Sequence, residues 1–285
     1  MKIKHIIILG FLALFVSLNS SCRKLEEINI NPNESSTTHP QFLLTKIQWQ
    51  AFNAFKGTGP LYALKMIVQT DGENSNQIYA WQRGDFDAYG QLRDVTKMIE
   101  EAEKRNLQDY IALGKFFRAY YFFNLTMTFG DVPYSEALKG EKENNYTPKY
   151  DSQKDVLVGI LKELEEANTL LSKIENRIGG DIIYGGTASQ WRKLVNAFRL
   201  KILMTLSPKE ADGDIAPKAK FSQIVSSEPL FTSGSDDAKL VYLDQIGNRY
   251  PEFNSSSYGS GMYVDSTYIK RLQDLKDARL FVLFT

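Results

Sequence analysis

From Asp109 to Phe129 the chain carries Phe116, Phe117, Tyr120, Tyr121, Phe122, Phe123 and Phe129 and leaves no continuous polar face. A helix that is apolar nearly all round has to lie between other helices, because water would otherwise meet a row of rings along its length. The neighbouring sequence supplies them. Tyr89, Leu92, Val95, Ile99 and Ala102 recur at helical spacing with a charged opposite face, and Leu157, Ile160, Leu161, Leu164 and Leu171 do so with Glu163, Glu165 and Glu166 on the wet side. Thr187 to Leu206 reads as a further helix stopped by Pro208. Upstream, Pro40 suits a first helical turn, where its missing N–H is not needed, and Leu43, Leu44, Ile47, Ala51 and Phe55 follow until Gly57-Thr58-Gly59-Pro60 breaks the pattern. Leu61, Leu64 and Val68 fall on one face of a second segment, Leu61 to Gln69, whereas Asp71 to Ala88 has no sustained period. Past Pro208 the sequence predicts a helix over Ala216 to Ser226, a short strand over Leu240-Val241-Tyr242-Leu243, and then a loop-rich stretch. The fold class is therefore mostly α, with helix pairs stacked around an aromatic core and a loop-rich C-terminal part.

Two helices carry a matched hexapeptide. Lys115-Phe116-Phe117-Arg118-Ala119-Tyr120 aligns with Lys193-Leu194-Val195-Asn196-Ala197-Phe198 in its Lys, its Ala and its final aromatic. Tetratricopeptide helix pairs, with a period near 34 residues, place a small Ala where helices cross closely and an aromatic beside it, and loop insertions stretch that period.

The beginning of the chain reads differently. Lys2 and Lys4 precede an apolar run from Ile6 to Leu18, shorter than the roughly 20 residues a spanning helix needs, which is the pattern of a cleaved signal peptide over residues 1–21. Asn19-Ser20-Ser21 then stands before Cys22, the only cysteine of the chain. This resembles a bacterial lipobox, in which the cysteine is acylated, the signal is cut before it, and the cysteine becomes the first mature residue. Asn19 replaces the aliphatic residue usual at its position. Residues 22–39 are polar, with Asn31-Pro32-Asn33 among them, and read as a tether between anchor and domain, leaving 40–285 as the folded part.

Composition removes many chemistries. The 34 Lys and Arg equal the 34 Asp and Glu, so no cationic excess faces nucleic-acid phosphates. One cysteine allows no intrachain disulfide or cysteine-held zinc, and the two histidines, His5 and His39, leave little for catalytic dyads; His39 reads as a solvated helix-start residue. Nucleophile-elbow, phosphate-loop and zinc-helix motifs are absent, and Gly57-Thr58-Gly59 lacks the third glycine of a dinucleotide fingerprint. Asp212-Gly213-Asp214 starts like a calcium loop, but Ile215-Ala216-Pro217 breaks the ligand pattern. The acid pairs Glu100-Glu101, Glu165-Glu166 and Asp236-Asp237 read as solvated faces or loop charge rather than a catalytic carboxylate pair. No catalytic residue, metal ligand or cofactor is expected.

Two segments suit contact with a ligand. Asn248 to Tyr268 interleaves Tyr250, Phe253, Tyr258, Tyr263 and Tyr268 with Asn254 and several Ser and Gly, a mixture of rigid amphipathic rings and adaptable hydrogen-bonding groups. Tyr79, Trp81 and Phe86 stand in a polar loop, where a ring either stacks on a ligand or plugs the helix below. The candidate binding residues are Tyr79, Trp81, Phe86, Tyr250, Asn254, Tyr258 and Tyr263.

With these features, Phe129-Gly130-Asp131-Val132-Pro133-Tyr134-Ser135-Glu136-Ala137 after the aromatic helix, and Leu275-Lys276-Asp277-Ala278-Arg279-Leu280 near the end, the chain resembles the SusD-like/RagB outer-membrane lipoproteins of Bacteroidetes. Ala278 replaces a proline usual in the late motif, and family members continue well beyond it, so the sequence is expected to be an N-terminal portion. The resemblance implies a palmitate-bearing, outward-facing lipoprotein with tetratricopeptide-like helices. It would lie over a SusC-like TonB-dependent transporter and bind oligosaccharides or, in the RagB-like branch, oligopeptides, with no enzymatic step. Two other classes stand beside it: a surface-anchored hydrolase using a carboxylate pair, and a helical-repeat adhesion or scaffold protein.

Overall fold

The computed structural model describes residues 38–53, 57–254 and 261–283. Cys22, the signal segment and nearly all of the tether lie outside the described residues, as does Tyr258.

Helix α1 (Pro40–Phe52) begins at His39, whose Nδ1 accepts a hydrogen bond from the Gln41 N–H at 3.3 Å, so this histidine acts as a helix cap. Helix α2 (Gly59–Ala63) is short, and strand β1 (Ile67–Gln69) follows it. The single helical segment expected over Leu61 to Gln69 is thus corrected: the helix stops at Ala63, Lys65 turns with φ +55°, and the chain becomes extended. Adjacent β-branched Ile67 and Val68 favour that conformation, and a partner strand from far along the chain completes it.

Helices α3 (Ala88–Lys104) and α4 (Gln108–Phe129) form an antiparallel pair, as the tight turn at Arg105–Leu107 requires. After the one-turn α5 (Gly140–Glu143), helices α6 (Gln153–Leu171) and α7 (Ala188–Thr205) make the second pair. Helix α8 (Pro217–Ser227) comes next, then strand β2 (Met262–Val264), α9 (Ser266–Asp274) and α10 (Arg279–Leu283). Helix α4 is the centre: α3 and α6 flank it, α1 and α7 complete the enclosure, and Leu113, Phe117, Ala119 and Phe122 are wholly buried. At Gly114 a Cβ would fall 2.4 Å from Ile99 Cγ1, so only a glycine lets α3 and α4 approach this closely. The matched lysines also play matching parts, since Lys115 Nζ binds Glu166 at 2.7 Å and Lys193 Nζ binds Asp236 at 2.8 Å.

The glycine-aspartate-valine-proline turn after α4 ties the two pairs together. Val132 is buried and bridges antiparallel to Asp151, whose carboxylate accepts from the Tyr134 and Ser135 N–H groups at 3.0 and 2.7 Å. Tyr89 on α3 donates its hydroxyl to the Pro133 carbonyl at 2.6 Å.

Several acids expected in water are instead inside. The Glu101 side chain is fully buried and meets Arg105 at 2.6 Å, Lys104 at 2.7 Å and Lys97 at 3.3 Å; those hydrogen bonds, Arg105 first, pull its carboxyl from 4.5 to about 2. Asp236 is 2% exposed, bound by Lys193 and by the Thr232 N–H, and its carboxyl lies far below the ordinary range for the same reason. Glu163 faces Arg118 and the Tyr134 hydroxyl rather than solvent, with the Arg118 guanidinium 4.8 and 4.5 Å from the centres of the Phe122 and Tyr134 rings. Glu163 and Asp236 meet cations from distant parts of the chain, whereas the cations of Glu101 stand three and four residues from it. Between Asp212 and Asp214 sits the Lys154 ammonium, at 3.0 and 2.7 Å, in the place a calcium ion would take.

The strand expected over Leu240-Val241-Tyr242-Leu243 is corrected too: the segment pairs with no strand, and Val241 and Leu243 stay exposed. Leu240 and Tyr242 are half-buried, and the Tyr242 hydroxyl bonds the Asn53 side chain. Among the described residues no helix is long and apolar enough to cross a membrane.

Candidate functional site

Two of the candidate aromatics, Tyr79 and Trp81, meet in the loop after β1, which pairs antiparallel with β2, with Ile67 opposite Val264, Val68 opposite Tyr263 and Gln69 opposite Met262. At the entry to β2, Gly261 has φ +80° and passes so close to Asp71 that a Cβ would fall 1.9 Å from its carboxylate oxygen. The Thr70 N–H bonds the Gly261 carbonyl at 2.9 Å, which extends the pairing by one step.

From Thr70 the chain returns along β1. Asn74 Oδ1 accepts from the Asn76 and Gln77 N–H groups, an Asx turn, and the Gln77 side-chain amide then bonds both the N–H and the carbonyl of Gln69, at 2.7 and 3.3 Å. Lys65 donates to the Gln77 carbonyl from the other side. This scaffold sets Tyr79 in a left-handed turn, φ +56°, with its hydroxyl on the Ala63 carbonyl at 3.0 Å and the Lys65 ammonium 4.6 Å from its ring. Trp81 stands edge-on to Tyr79 at 5.3 Å, and its indole N–H donates to Asn76 Oδ1 at 3.0 Å. Both polar tips are thus satisfied within the protein while the rings remain 50% and 60% exposed. Such a pair offers apolar faces to a ligand and needs no rearrangement to do so.

The other candidates divide. Tyr263 is exposed on β2, opposite the β1 residue Val68, so it shares the same small sheet. Tyr250 accepts at its hydroxyl from the Gly57 N–H at 3.2 Å and lies edge-on to Tyr242 at 5.2 Å, which fixes it beside the turn into α2. Asn254 is an exposed turn residue with φ +56°. Phe86 stacks face to face on Phe129 at 4.3 Å and plugs the end of α4, away from the Tyr79–Trp81 pair. Sequence reasoning missed Lys65, Asn76 and Gln77, which hold the pair in place; the density of Asn and Gln between Asn74 and Gln77 was the available signal. A cavity of about 950 Å³ lies elsewhere, between α1, α3 and α5, and none of the candidate residues lines it. Its walls are polar, and its Lys46–Asp94 and Lys142–Glu100 ion pairs hold structural charge rather than a converging set of ligand groups.

Chemically this surface offers open aromatic faces beside amide side chains. The three most strongly depressed carboxyls, Glu101, Asp236 and Asp277, are each bound to cations of the fold. Among the described residues no group of three or more His, Cys, Asp or Glu side chains could hold a metal ion.

A family described as "Starch-binding associating with outer membrane" matches residues 32–285. Among solved structures, a SusD homologue of Bacteroides fragilis is 51% identical with a TM-score of 0.77 over 86% of this chain and 52% of its own. A candidate outer-membrane, nutrient-binding protein of Bacteroides vulgatus is 53% identical, also at 0.77, over 86% of this chain and 53% of its own. A second SusD homologue of Bacteroides fragilis is 31% identical at the same TM-score, over 86% and 52%. The chain therefore spans about half the length of these solved relatives. No curated protein matches it.

Proposed function

Because the chain belongs to the SusD-like family of starch-binding proteins associated with the outer membrane, we propose that it captures a nutrient oligosaccharide at the cell surface and passes it to a SusC-like TonB-dependent transporter, without catalysing a reaction. The observation that carries this reading is the Tyr79–Trp81 pair, whose polar tips are bonded inside the protein and whose faces are open. A sugar ring presents C–H groups to such a face and hydroxyls to its surroundings, where Asn and Gln side chains stand. Tyr263 on the neighbouring strand, and Tyr250, Asn254 and Tyr258 in the segment before it, extend the proposed contact surface; Phe86 contributes by fixing the far end of the loop. The anchor in this reading is an acylated Cys22, with residues 1–21 removed as the signal, 22–39 as the tether and 40–285 as the helical binding domain. Two or more acyl chains would hold such a protein durably at a membrane, where one would not.

The test is calorimetry of the 285-residue chain against starch-derived oligosaccharides, other glycans and oligopeptides, repeated with Trp81→Ala. A glycan is expected to bind, and the substitution to weaken it by about 0.5 to 1.5 kcal/mol, roughly two- to tenfold. Binding of peptides alone would refute the substrate class, and unchanged glycan affinity would refute the platform. In cells, Cys22→Ala is expected to release the protein from carbonate-washed membranes, and the unaltered chain to co-purify with a large barrel protein in mild detergent. Retention of the variant would refute the anchor, and recovery of the chain alone the partnership.

A further inference from the structure

The matched hexapeptides of α4 and α7 do more than brace the helix pairs, for they converge on a second cavity. Phe116 and Tyr120 from the first, and their counterparts Leu194 and Phe198 from the second, line a pocket of about 270 Å³ that Phe52 of α1 closes from the side. Phe116 and Tyr120 lie 6.0 and 6.1 Å from Phe198, ring centre to ring centre. The Tyr120 hydroxyl is taken by Asn124.

One charged group stands at this pocket. Lys201, on α7 beyond Phe198, lines it with an exposed side chain whose ammonium lies 6.0 Å from the Phe123 ring, and among the described residues no carboxylate pairs with it. The other lysine of the same helix, Lys193, is bound to Asp236, and Lys115 is bound to Glu166. A pocket walled by rings excludes hydrated groups, while a lining lysine without a carboxylate partner draws an anion and repels a cation. Its volume suits one ring-sized group and is too small for the several hydrated rings of an oligosaccharide.

We propose that this pocket binds a compact apolar acid, an aromatic or branched aliphatic group against Phe116 and Phe198 with its carboxylate on Lys201. The same chemistry is carried by a free aromatic acid and by the C-terminal phenylalanine of a peptide. The site is independent of the Tyr79–Trp81 surface, so either stands if the other falls.

The experiment is titration of the 285-residue chain with 3-phenylpropionate, 3-phenylpropylamine, acetyl-Gly-Gly-Phe with a free carboxylate, and the amide of that peptide. The acid is expected to saturate one site, with the amine at least about tenfold weaker, since loss of one charge-assisted contact is of that order. Lys201→Glu is expected to abolish binding, Leu194→Trp to do so by filling the pocket, and Trp81→Ala to leave it unchanged. Binding of the peptide acid but not its amide assigns the site to peptide C-termini; binding of phenylpropionate alone assigns it to free acids. Equal affinity for acid and amine, no saturable binding, or persistence of binding in Lys201→Glu overturns the proposal. Lys201 is exposed, so that last outcome stays readable even if Leu194→Trp fails to fold.

Discussion

The protein uses aromatic residues in two opposite ways. In α4, Phe117 and Phe122 are surrounded on every side, and Phe117 meets Phe116 at 5.1 Å and Trp191 at 5.7 Å. In the loop over β1, Tyr79 and Trp81 are held by their polar tips and leave their faces in solvent. A ring with no polar atom can be held only by being covered, whereas one with a hydroxyl or an indole N–H can be fixed at its tip and left open. The core therefore draws stability from its rings, and the loop keeps them available for contact.

The sharpest way to break this contrast is to truncate one ring of each kind. Phe117→Ala is expected to cost about 3 to 5 kcal/mol, because a wholly buried ring leaves a cavity that its neighbours cannot close. Denaturant unfolding would measure it, and a loss below about 1 kcal/mol would show that α4 is not the centre of the core. A second test concerns charge buried beside that core. Glu101 titrates at about 2 in the folded chain against an ordinary 4.5, so its contribution to stability is complete above 4.5 and disappears as pH falls from there toward 2. Glu101→Gln is expected to lower the melting temperature most near neutral pH, with the gap to the unaltered chain closing across that acid window. A gap independent of pH would mean that the three cations do not hold a charged Glu101. The smallest effect belongs to the loop. Trp81→Ala is expected to leave stability within about 0.5 kcal/mol while weakening the glycan, and a loss as large as that of Phe117→Ala would make Trp81 part of the core.

Local pattern disclosed most of the helical scaffold. Helix α1 and the pairs α3–α4 and α6–α7 lie where the sequence puts them, because α4 is apolar nearly all round and the others each bury a stripe written at three- and four-residue spacing. The matched lysines were legible, but their partners, Glu166 and Asp236, were not. Nor could the sequence show Asp181 joining α1 to α7, with Oδ1 accepting from Gln48 at 2.9 Å and Oδ2 from the Trp191 indole at 2.8 Å. The candidate surface was visible as a list of rings without an arrangement. Trp81 and Tyr79 are legible as rings in a polar loop, yet the short sheet nearby joins Ile67–Gln69 to Met262–Val264 and leaves no mark in either segment alone.

By itself, the sequence determined that this chain is mostly helical, that its most aromatic helix is enclosed, and that its family is the SusD-like one, since periodicity, ring content and the phenylalanine-glycine-aspartate-valine-proline turn are properties of neighbouring residues. Only the tertiary structure decided which acids are buried, that Lys65 to Gln69 turns from helix to strand, that Phe86 plugs α4 while Trp81 stays open, and that the two hexapeptides enclose a pocket. The burial of Asp236, the pairing of β1, the stacking of Phe86 on Phe129 and the pocket depend on groups brought together from distant parts of the chain, and the energy of a hydrogen bond, an ion pair or a stacked ring depends on distance in space, which spacing along the chain does not encode.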